Sequence, residues 1–177
     1  DSSVNYTVTA RDNHGYFAQY QTPTLTMGLR QDENEQFGRH TTYNLAVGYP
    51  VSTMTRLYLS YGTAFKAPTF NELYYPGFEG FPAFGNPQLQ PEESQSWELG
   101  IKGTQAEYSW SWNAFRTNID NLIGGYPAAN INQATITGSE GNVQWQRGDW
   151  EFYAQVSWLK PEDKLTGHLL PRRAKTS

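Results

Sequence analysis

The chain has 177 residues, with 13 Lys and Arg against 17 Asp and Glu and a formal net charge of −4. This mildly acidic balance argues against nucleic-acid binding, which normally needs a basic surface. The chain contains no cysteine, which excludes a disulfide framework, a thiolate nucleophile and a zinc-ribbon site. No apolar run approaches the roughly 20 residues that a membrane-spanning helix needs.

Alternation of apolar and polar residues with a period of two predicts strands throughout the first third of the chain. A first strand begins at Gly15 and ends at a short turn, Thr22-Pro23. A second strand follows and leads into a polar loop at residues 31–38. A third strand ends at a short turn at residues 50–53, and a fourth covers residues 57–65.

A long segment without alternation then separates the fourth strand from a fifth at residues 94–103. It is broken by prolines, which are Pro68, Pro76, Pro82, Pro87 and Pro91. A loop of this length inside a compact domain is usually functional.

Aromatic residues are concentrated in this loop, and we predict them as candidate ligand-binding residues, since exposed loop aromatics commonly contact a partner. They are Tyr74, Tyr75, Phe78, Phe81 and Phe84. The alternative is that these rings pack on one another and only close the loop.

The second half of the chain continues the same pattern. A short turn at residues 104–106 precedes a sixth strand, and a loop at residues 124–132 separates it from a seventh at 135–147. A tight turn at Gly148-Asp149 leads to an eighth strand, which is followed by a last loop at residues 160–171.

Two regularities predict a transmembrane β-barrel. No segment has helical periodicity, and the predicted connections alternate between short and long, as in barrels with short turns on one side of the membrane. The residues expected to face lipid hold the apolar phase of the strands: Leu25, Leu29, Leu45, Val47, Leu57, Leu59, Leu99, Ile101, Val156 and Trp158. The residues expected in the aromatic girdles are Trp97, Tyr108, Trp110, Trp112, Trp145, Trp150 and Trp158. A soluble up-and-down sheet with one solvated face is the alternative.

Catalytic and metal sites are not predicted. His14, His40 and His168 each lie in or beside a predicted loop, and no Gly-x-Ser-x-Gly motif accompanies them. We expect solvated loop histidines, and the alternative is a Ser–His pair that meets only in the folded protein. The acidic cluster of Asp32, Glu33 and Glu35 matches no calcium-loop spacing and is expected to be a solvated loop.

Several motifs resemble the barrel domain of TonB-dependent outer-membrane receptors. The main ones are the YGTAFKAP segment at residues 61–68 and the GNPQLQPEES segment at residues 85–94. Shorter matches are QFGRH at 36–40, NLI at 121–123, GSE at 138–140 and LLPRRAK at 169–175. Within the family, the chain is most similar to receptors for cobalamin (vitamin B12), except that residues 76–83 form an additional aromatic, proline-rich stretch.

The resemblance implies an all-β, antiparallel up-and-down transmembrane barrel of about 22 strands, of which residues 1–177 form a partial wall of about eight strands. Because the chain opens at Asp1 and stops at Ser177 as a new strand begins, we expect it to be a piece of a longer chain. The family's plug domain, which engages TonB, is expected to be missing from this piece. The implied location is the Gram-negative outer membrane, with lipid, TonB and a nutrient as partners. The implied transport needs no cofactor and no enzymatic step.

The resemblance also assigns individual residues. Glu92, Glu98 and Glu140 are implied to be structural residues on the lumen side of the wall. A lumen-facing acid needs a charged or hydrogen-bonding partner, and Arg56, Lys102 and Arg116 are the candidates. Arg172, the first Arg of the LLPRRAK run, is implied to contact the ligand, and its alternative role is pairing with loop acids.

Three other functions remain open at this point. The first is a ferric-siderophore receptor of the same family. The second is a passive porin, and the third is a soluble carbohydrate-binding β-domain that uses the loop aromatics.

Overall fold

The computed structural model describes residues 8–77 and 82–170 and shows a single antiparallel sheet of eight strands. Each strand pairs with its neighbours in sequence, in the order β1-β2-β3-β4-β5-β6-β7-β8. The strands are β1 (Asn13–Gln21), β2 (Leu25–Asn34), β3 (Gly38–Pro50), β4 (Thr55–Lys66), β5 (Glu92–Gln105), β6 (Tyr108–Gly124), β7 (Ala129–Arg147) and β8 (Trp150–Asp163). This confirms the predicted antiparallel up-and-down fold. The sheet is open, with β1 and β8 at its edges.

The strand register collects the apolar residues on one face of the sheet. Leu59 of β4 lies opposite Val47 of β3 and Leu99 of β5. Leu99 lies in turn opposite Ala114 of β6. Leu59 is 47% exposed and Leu99 is 45% exposed, because no second layer covers them. A soluble β-sandwich buries such a face against another sheet, so this face needs an apolar environment from outside the described residues.

Aromatic side chains flank the aliphatic part of this apolar face. Tyr108 and Trp145 form one pair beside the short turns, with ring centroids 6.4 Å apart. Tyr61 and Trp97 form another, with centroids 4.4 Å apart. Trp97 lies eight positions along β5 from Gln105, the residue opposite Tyr108, or about 26 Å at the usual rise per residue. Because strands of outer-membrane barrels tilt by about 35–45°, this separation spans about 18–21 Å across the membrane, slightly less than the apolar band of about 25 Å that such barrels show.

Trp112 departs from the girdle prediction. It lies opposite Ile101 and Gly141, inside the aliphatic part of the face.

Polar and small residues occupy the opposite face. Asn44 of β3 lies opposite Gly62 of β4, and Ser60 lies opposite Glu98 of β5. The side chains of this polar face bond to one another across strands, as in the contact of 2.9 Å between Ser96 Oγ and Thr117 Oγ1. Hydrogen-bonded polar groups of this kind suit a barrel interior and not a hydrocarbon environment.

Three predicted loops are too long, because the strands continue into them. The last of the three, predicted at residues 160–171, overlaps β8, which ends at Asp163. The predicted polar loop at 31–38 is a turn of three residues, 35–37, since Asp32 and Glu33 pair with β3. The predicted loop at 124–132 shrinks to residues 125–128. Polar sequence does not end a strand when its backbone groups find cross-strand partners. Among the connections between the eight described strands, only the one at 67–91 is long, so the predicted alternation of short and long connections is wrong.

A short helix, α1 (Phe70–Tyr74), lies in this long connection, which corrects the prediction of no helical segment. Thr69 caps it: its Oγ1 accepts a hydrogen bond from the Glu72 backbone N, and the Glu72 carboxylate accepts one from the Thr69 backbone N. This is the Thr-x-x-Glu capping box, which is readable in the sequence. None of the helices in residues 8–77 and 82–170 is long and apolar enough to cross a membrane.

Candidate functional site

The long β4–β5 connection is folded back against α1 and lies at one end of the sheet, which we call the loop end. Its return segment is held by backbone hydrogen bonds, from Phe84 N to Tyr75 O at 3.3 Å and from Asn86 N to Glu72 O at 2.8 Å. Leu73 is 0% exposed and Leu89 is 1% exposed, so the connection has an apolar core of its own. The described parts of this connection, residues 67–77 and 82–91, therefore form a structured unit at the loop end of the sheet, which we call the platform.

Asparagine side chains tie this platform to the β6–β7 hairpin. Asn86 Nδ2 donates to Ala128 O at 3.1 Å. Asn130 Nδ2 donates to Gln90 O at 2.9 Å, and its Oδ1 accepts from Gln90 N at 2.8 Å. The same Nδ2 also reaches Asn121 O at 2.8 Å. Asn130 thus joins the end of the long connection to the neighbouring hairpin.

Asn121 interrupts the pairing of β6 with β7, because Asp120 and Leu122 pair with β7 and Asn121 does not. Its φ of 55° is a left-handed conformation that asparagine adopts more readily than most residues. The left-handed conformation at residue 121 therefore explains why the motif at residues 121–123 begins with asparagine.

Hydrogen bonds from two neighbours each hold the carboxylates of Glu92 and Glu98 in place. Glu92 Oε1 accepts from Lys66 Nζ at 3.1 Å and from the Ile123 backbone N at 2.9 Å. Glu98 Oε1 accepts from Tyr58 Oη at 3.0 Å and from Asn113 Nδ2 at 2.8 Å. These contacts join neighbouring strands, which is consistent with the structural role that the resemblance implies.

Glu140 lies opposite Asn113 and Ser157, on the same polar face as Glu98. The expected cationic partners are not paired with these acids in the described residues. Arg56 Nη1 instead donates to Pro23 O at 2.8 Å. Arg116 lies opposite Trp97, on the apolar face, so the prediction that it faces the lumen is wrong.

The predicted aromatic residues divide into two groups. Tyr74 Oη accepts a hydrogen bond of 2.6 Å from Gln36 Nε2 in the β2–β3 turn, so it serves the packing of the platform. Tyr75 and Phe84 line a cavity of about 350 Å³ between the platform and the β6–β7 turn. Phe78 and Phe81 lie outside the described residues, as does Arg172. Ligand binding by these residues stays a prediction.

Tyr126 is a further residue of this cavity that the sequence analysis did not identify. It lies in the β6–β7 turn, is 75% exposed, and its ring centroid is 4.4 Å from that of Phe84. An aromatic residue in a Gly-Gly-Tyr-Pro turn at the loop end was the available signal. The contact with Phe84 depends on tertiary structure, because the two residues belong to different connections.

Arg11 lies in the segment before β1 and contacts both the platform and the β2–β3 turn. Its guanidinium carbon lies 5.3 Å from the ring centroid of Phe37 and 5.2 Å from that of Phe70. Its Nη1 donates to Pro68 O at 3.1 Å. A guanidinium can stack on rings and donate in its plane at the same time. Arg11 therefore fixes α1 to the β2–β3 turn.

Substitution Arg11→Ala should loosen the platform by about 1–2 kcal/mol, because two cation–π contacts and a charge-assisted hydrogen bond are lost. Arg11→Lys keeps the charge and loses the planar fork, so it should recover less than half of the effect. A nitroxide label at Ala83, on the exposed return segment, reports the mobility of the platform by electron paramagnetic resonance. Unchanged spectra in both variants would show that Arg11 does not hold it.

The histidines and the acidic cluster are more ordered than predicted. His40 is a packed residue: its ring stacks on Phe65 at 3.7 Å, and its Nδ1 lies 3.1 Å from Glu93 Oε1. Asp32 is 8% exposed and pairs with Arg30 at 2.7 Å. The expectation of solvated groups was wrong for His40 and Asp32, because strand pairing places them against partners, whereas Glu35 is exposed as predicted. His14 and His168 are exposed, as predicted.

In residues 8–77 and 82–170, no group of three or more His, Cys, Asp or Glu side chains is placed to hold a metal ion. Glu33 and Glu35, the other two acids of the predicted cluster, each bond to a group of the protein. Glu33 pairs with Arg39 at 2.5 Å, and Glu35 Oε2 accepts from the Asp12 backbone N at 2.9 Å.

Comparison with known proteins places this arrangement in a family. The model of the family described as TonB dependent receptor-like, beta-barrel matches residues 1–177. The chain is 33% identical over 186 residues to the vitamin B12 transporter BtuB of Vibrio vulnificus, covering 98% of the chain and 29% of that protein. It is 32% identical over 160 residues to the vitamin B12 transporter BtuB of Photobacterium profundum, covering 84% of the chain and 25% of that protein.

A solved structure shares the fold at lower sequence identity. The siderophore receptor PirA from Pseudomonas aeruginosa superposes with a TM-score of 0.73 at 20% identity, covering 85% of this chain and 32% of that one. The chain thus spans about a third or less of each protein to which it is similar. The match of the family model to every residue, together with the open antiparallel sheet, shows that the chain belongs to the TonB-dependent receptors and forms part of their β-barrel.

Proposed function

We propose that this chain is part of an outer-membrane receptor that binds cobalamin from outside the cell and imports it. The observation that carries the proposal is the likeness to two vitamin B12 transporters, one of which matches 98% of the chain. The structured platform at the loop end and the exposed ring of Tyr126 beside it support the proposal, because rings on loops held in one conformation are suited to recognising a large ligand.

The proposed mechanism makes and breaks no covalent bond. The apolar face lies against lipid, and the polar face lines the lumen of a barrel to which other strands contribute. The platform and the β6–β7 turn form part of the external recognition surface. TonB supplies the energy through a plug domain, so ligand binding outside and release inside are separate steps.

Ferric-siderophore import is the second candidate, because the chain shares its fold with the siderophore receptor PirA. At 20% identity that likeness concerns the fold alone. Membership of the receptor family leaves the passive porin and the soluble carbohydrate-binding domain without support.

The two cargoes are distinguished by titration of the receptor that carries this segment, purified in detergent. Cobalamin and a ferric catecholate siderophore are each added, and binding is followed by tryptophan fluorescence. Saturable binding of cobalamin alone supports the proposal. Saturable binding of the iron chelate alone transfers the assignment to a siderophore receptor.

Arg172→Ala should weaken cobalamin binding by about 1–3 kcal/mol, the usual loss when a charge-assisted hydrogen bond is removed. Arg173→Ala is the matched control, since the resemblance assigns the ligand contact to the first Arg of the LLPRRAK run and not to the second. The readout is the dissociation constant from the same titration. Equal and negligible effects of the two substitutions would remove Arg172 from the ligand site.

A further inference from the structure

The strand register places two basic residues on the apolar face, near the loop end of the sheet. Arg116 of β6 lies opposite Thr137 of β7, and Thr137 lies in turn opposite Lys160 of β8. The Cα atoms of Arg116 and Lys160 are therefore two strand spacings apart, or about 10 Å. We propose that Arg116, Thr137 and Lys160 form a lipid site, which binds the phosphate of an anionic lipid headgroup in the external leaflet of the membrane.

Neighbouring residues of the register set the lipid site at the level of the headgroups. On the side of the short turns, the adjacent residues of the same face are Ala114, Ser139 and Trp158. On the side of the loop end, the adjacent residues are all polar and are Asn118, Thr135 and Glu162. Trp97 lies opposite Arg116, and rings of this type mark the membrane–water interface. The lipid site therefore lies where the hydrocarbon ends and the headgroups begin.

Arg116 brings a positive charge that no described carboxylate neutralises. It is exposed, and none of the ion pairs in residues 8–77 and 82–170 includes it. Asp120, the only acid of β6, is four positions away, or about 13 Å along the strand, and it accepts from Gln133 Nε2 at 3.1 Å. Lys160 pairs with Glu162 at 2.8 Å, so these two charges cancel. The lipid site therefore keeps one net positive charge.

A phosphate is the lipid group that these three side chains can hold together. A guanidinium donates two parallel N–H bonds to phosphate oxygens. The Thr137 hydroxyl, on the strand between the two cations, can donate a third hydrogen bond. Lys160 is 51% exposed although it is paired, and its ammonium has three donors. It can therefore contact a phosphate without leaving Glu162.

The occupant of the lipid site is a lipid and not the transported nutrient, because the apolar face lies on the outside of the barrel wall. Trp97 and Trp158 are 53% and 45% exposed on this face and offer rings to the acyl chains of a bound lipid. A basic residue near a membrane surface enriches anionic lipids about 5-fold. This inference goes beyond the proposed import, since it holds for any cargo.

The experiment measures which lipid lies beside Ser139, the residue of the same face that follows Thr137 along β7. A bimane fluorophore is attached to Ser139→Cys in the receptor that carries this segment, freed of other cysteines and placed in phosphatidylcholine vesicles. Quenching by nitroxide-labelled phosphatidic acid is compared with quenching by nitroxide-labelled phosphatidylcholine. Phosphatidic acid should quench at about a 5-fold lower mole fraction, because it is anionic and its phosphate is unshielded.

Arg116→Gln should lower this preference to less than about 2-fold, because the remaining cation, Lys160, is already paired. Arg116→Lys should give an intermediate value, since it keeps the charge and loses the planar fork. Lys102→Gln is the matched control. Lys102 is another cation outside the described ion pairs, but it lies on the polar face, opposite Ser111. This variant should prefer phosphatidic acid as the wild type does.

A second fluorophore position distinguishes a local site from a general attraction to anionic lipid. Val143 lies on the same face of β7, four positions beyond Ser139 towards the short turns. A label at Val143→Cys should show a preference of less than about 2-fold, because this position is about 20 Å along the strand from Thr137 and contacts lipids of the other leaflet.

Equal preferences at the two label positions would overturn the lipid site, as would a preference at Ser139 that Arg116→Gln leaves unchanged. Excess inorganic phosphate should leave the preference intact, because free phosphate lacks the acyl chains that hold a lipid against the apolar face. Loss of the preference in its presence would mean that the three side chains hold free phosphate and not a lipid headgroup.

Discussion

Leu59→Arg is expected to destabilise the folded barrel by about 2–4 kcal/mol, the cost of a cation on the lipid face near the bilayer midplane. Leu59 lies four positions beyond the start of β4 at Thr55, or about 13 Å along the strand from the turn. Its neighbours across both strand pairs, Val47 and Leu99, are aliphatic and exposed, so no protein group can solvate the guanidinium there.

Ser60→Arg is the matched control, because Ser60 is adjacent in sequence but lies on the polar face, opposite Glu98. A guanidinium at this position meets water and a carboxylate, so the stability should change by less than about 1 kcal/mol. Both variants are compared by reversible urea unfolding of the complete receptor in phospholipid vesicles. Equal losses in the two variants would contradict the assignment of the apolar face to lipid.

Gly85→Val should detach the return segment of the β4–β5 platform from α1. An added Cβ at Gly85 would lie 2.6 Å from both Leu73 O and Tyr75 N, which are backbone atoms that cannot rotate away. Relief of this overlap requires separation of the two segments, which exposes Leu73 and Leu89. Each buried leucine contributes about 1.5–3 kcal/mol, so local opening of the platform should become easier by about 3–6 kcal/mol.

The measurement is the rate of proteolysis within residues 76–91 under native conditions, which reports the population of the open platform. The barrel itself should keep its resistance to heat in detergent, because the strands are untouched. Gly125→Ala in the β6–β7 turn is a useful comparison: Gly125 has a φ of 87°, so this substitution strains a turn without separating the platform from α1. A proteolysis rate in Gly85→Val no faster than in Gly125→Ala would show that the close approach at Gly85 does not hold the platform.

The fold could be predicted from the sequence because membrane strands leave a simple pattern. Residues such as Leu57 and Leu59 alternate with Tyr58 and Ser60, and a period of two has one structural solution, the strand. The helix α1 was missed, although its capping box at Thr69 and Glu72 depends on residues three apart in the chain and is present as a local pattern.

Strand ends could not be predicted from polarity. Asp32 and Glu33 were assigned to a loop because they are charged, yet their backbones pair with β3 and their side chains find Arg30 and Arg39. The sequence shows the charge of a residue and not the partner that compensates it. The same reason explains His40, whose packing against Phe65 and Glu93 depends on strands far away in the chain.

The sequence by itself determined the strands, their two faces, the aromatic loop and the family motifs, because these are local patterns of residue type. Only the tertiary structure brought Tyr126 to Phe84, placed Arg11 between Phe37 and Phe70, and put Arg116 on the apolar face. Each of these facts depends on register or on contact between separate connections. A sequence of side chains specifies such contacts only through the energy of the whole fold, so no local pattern contains them.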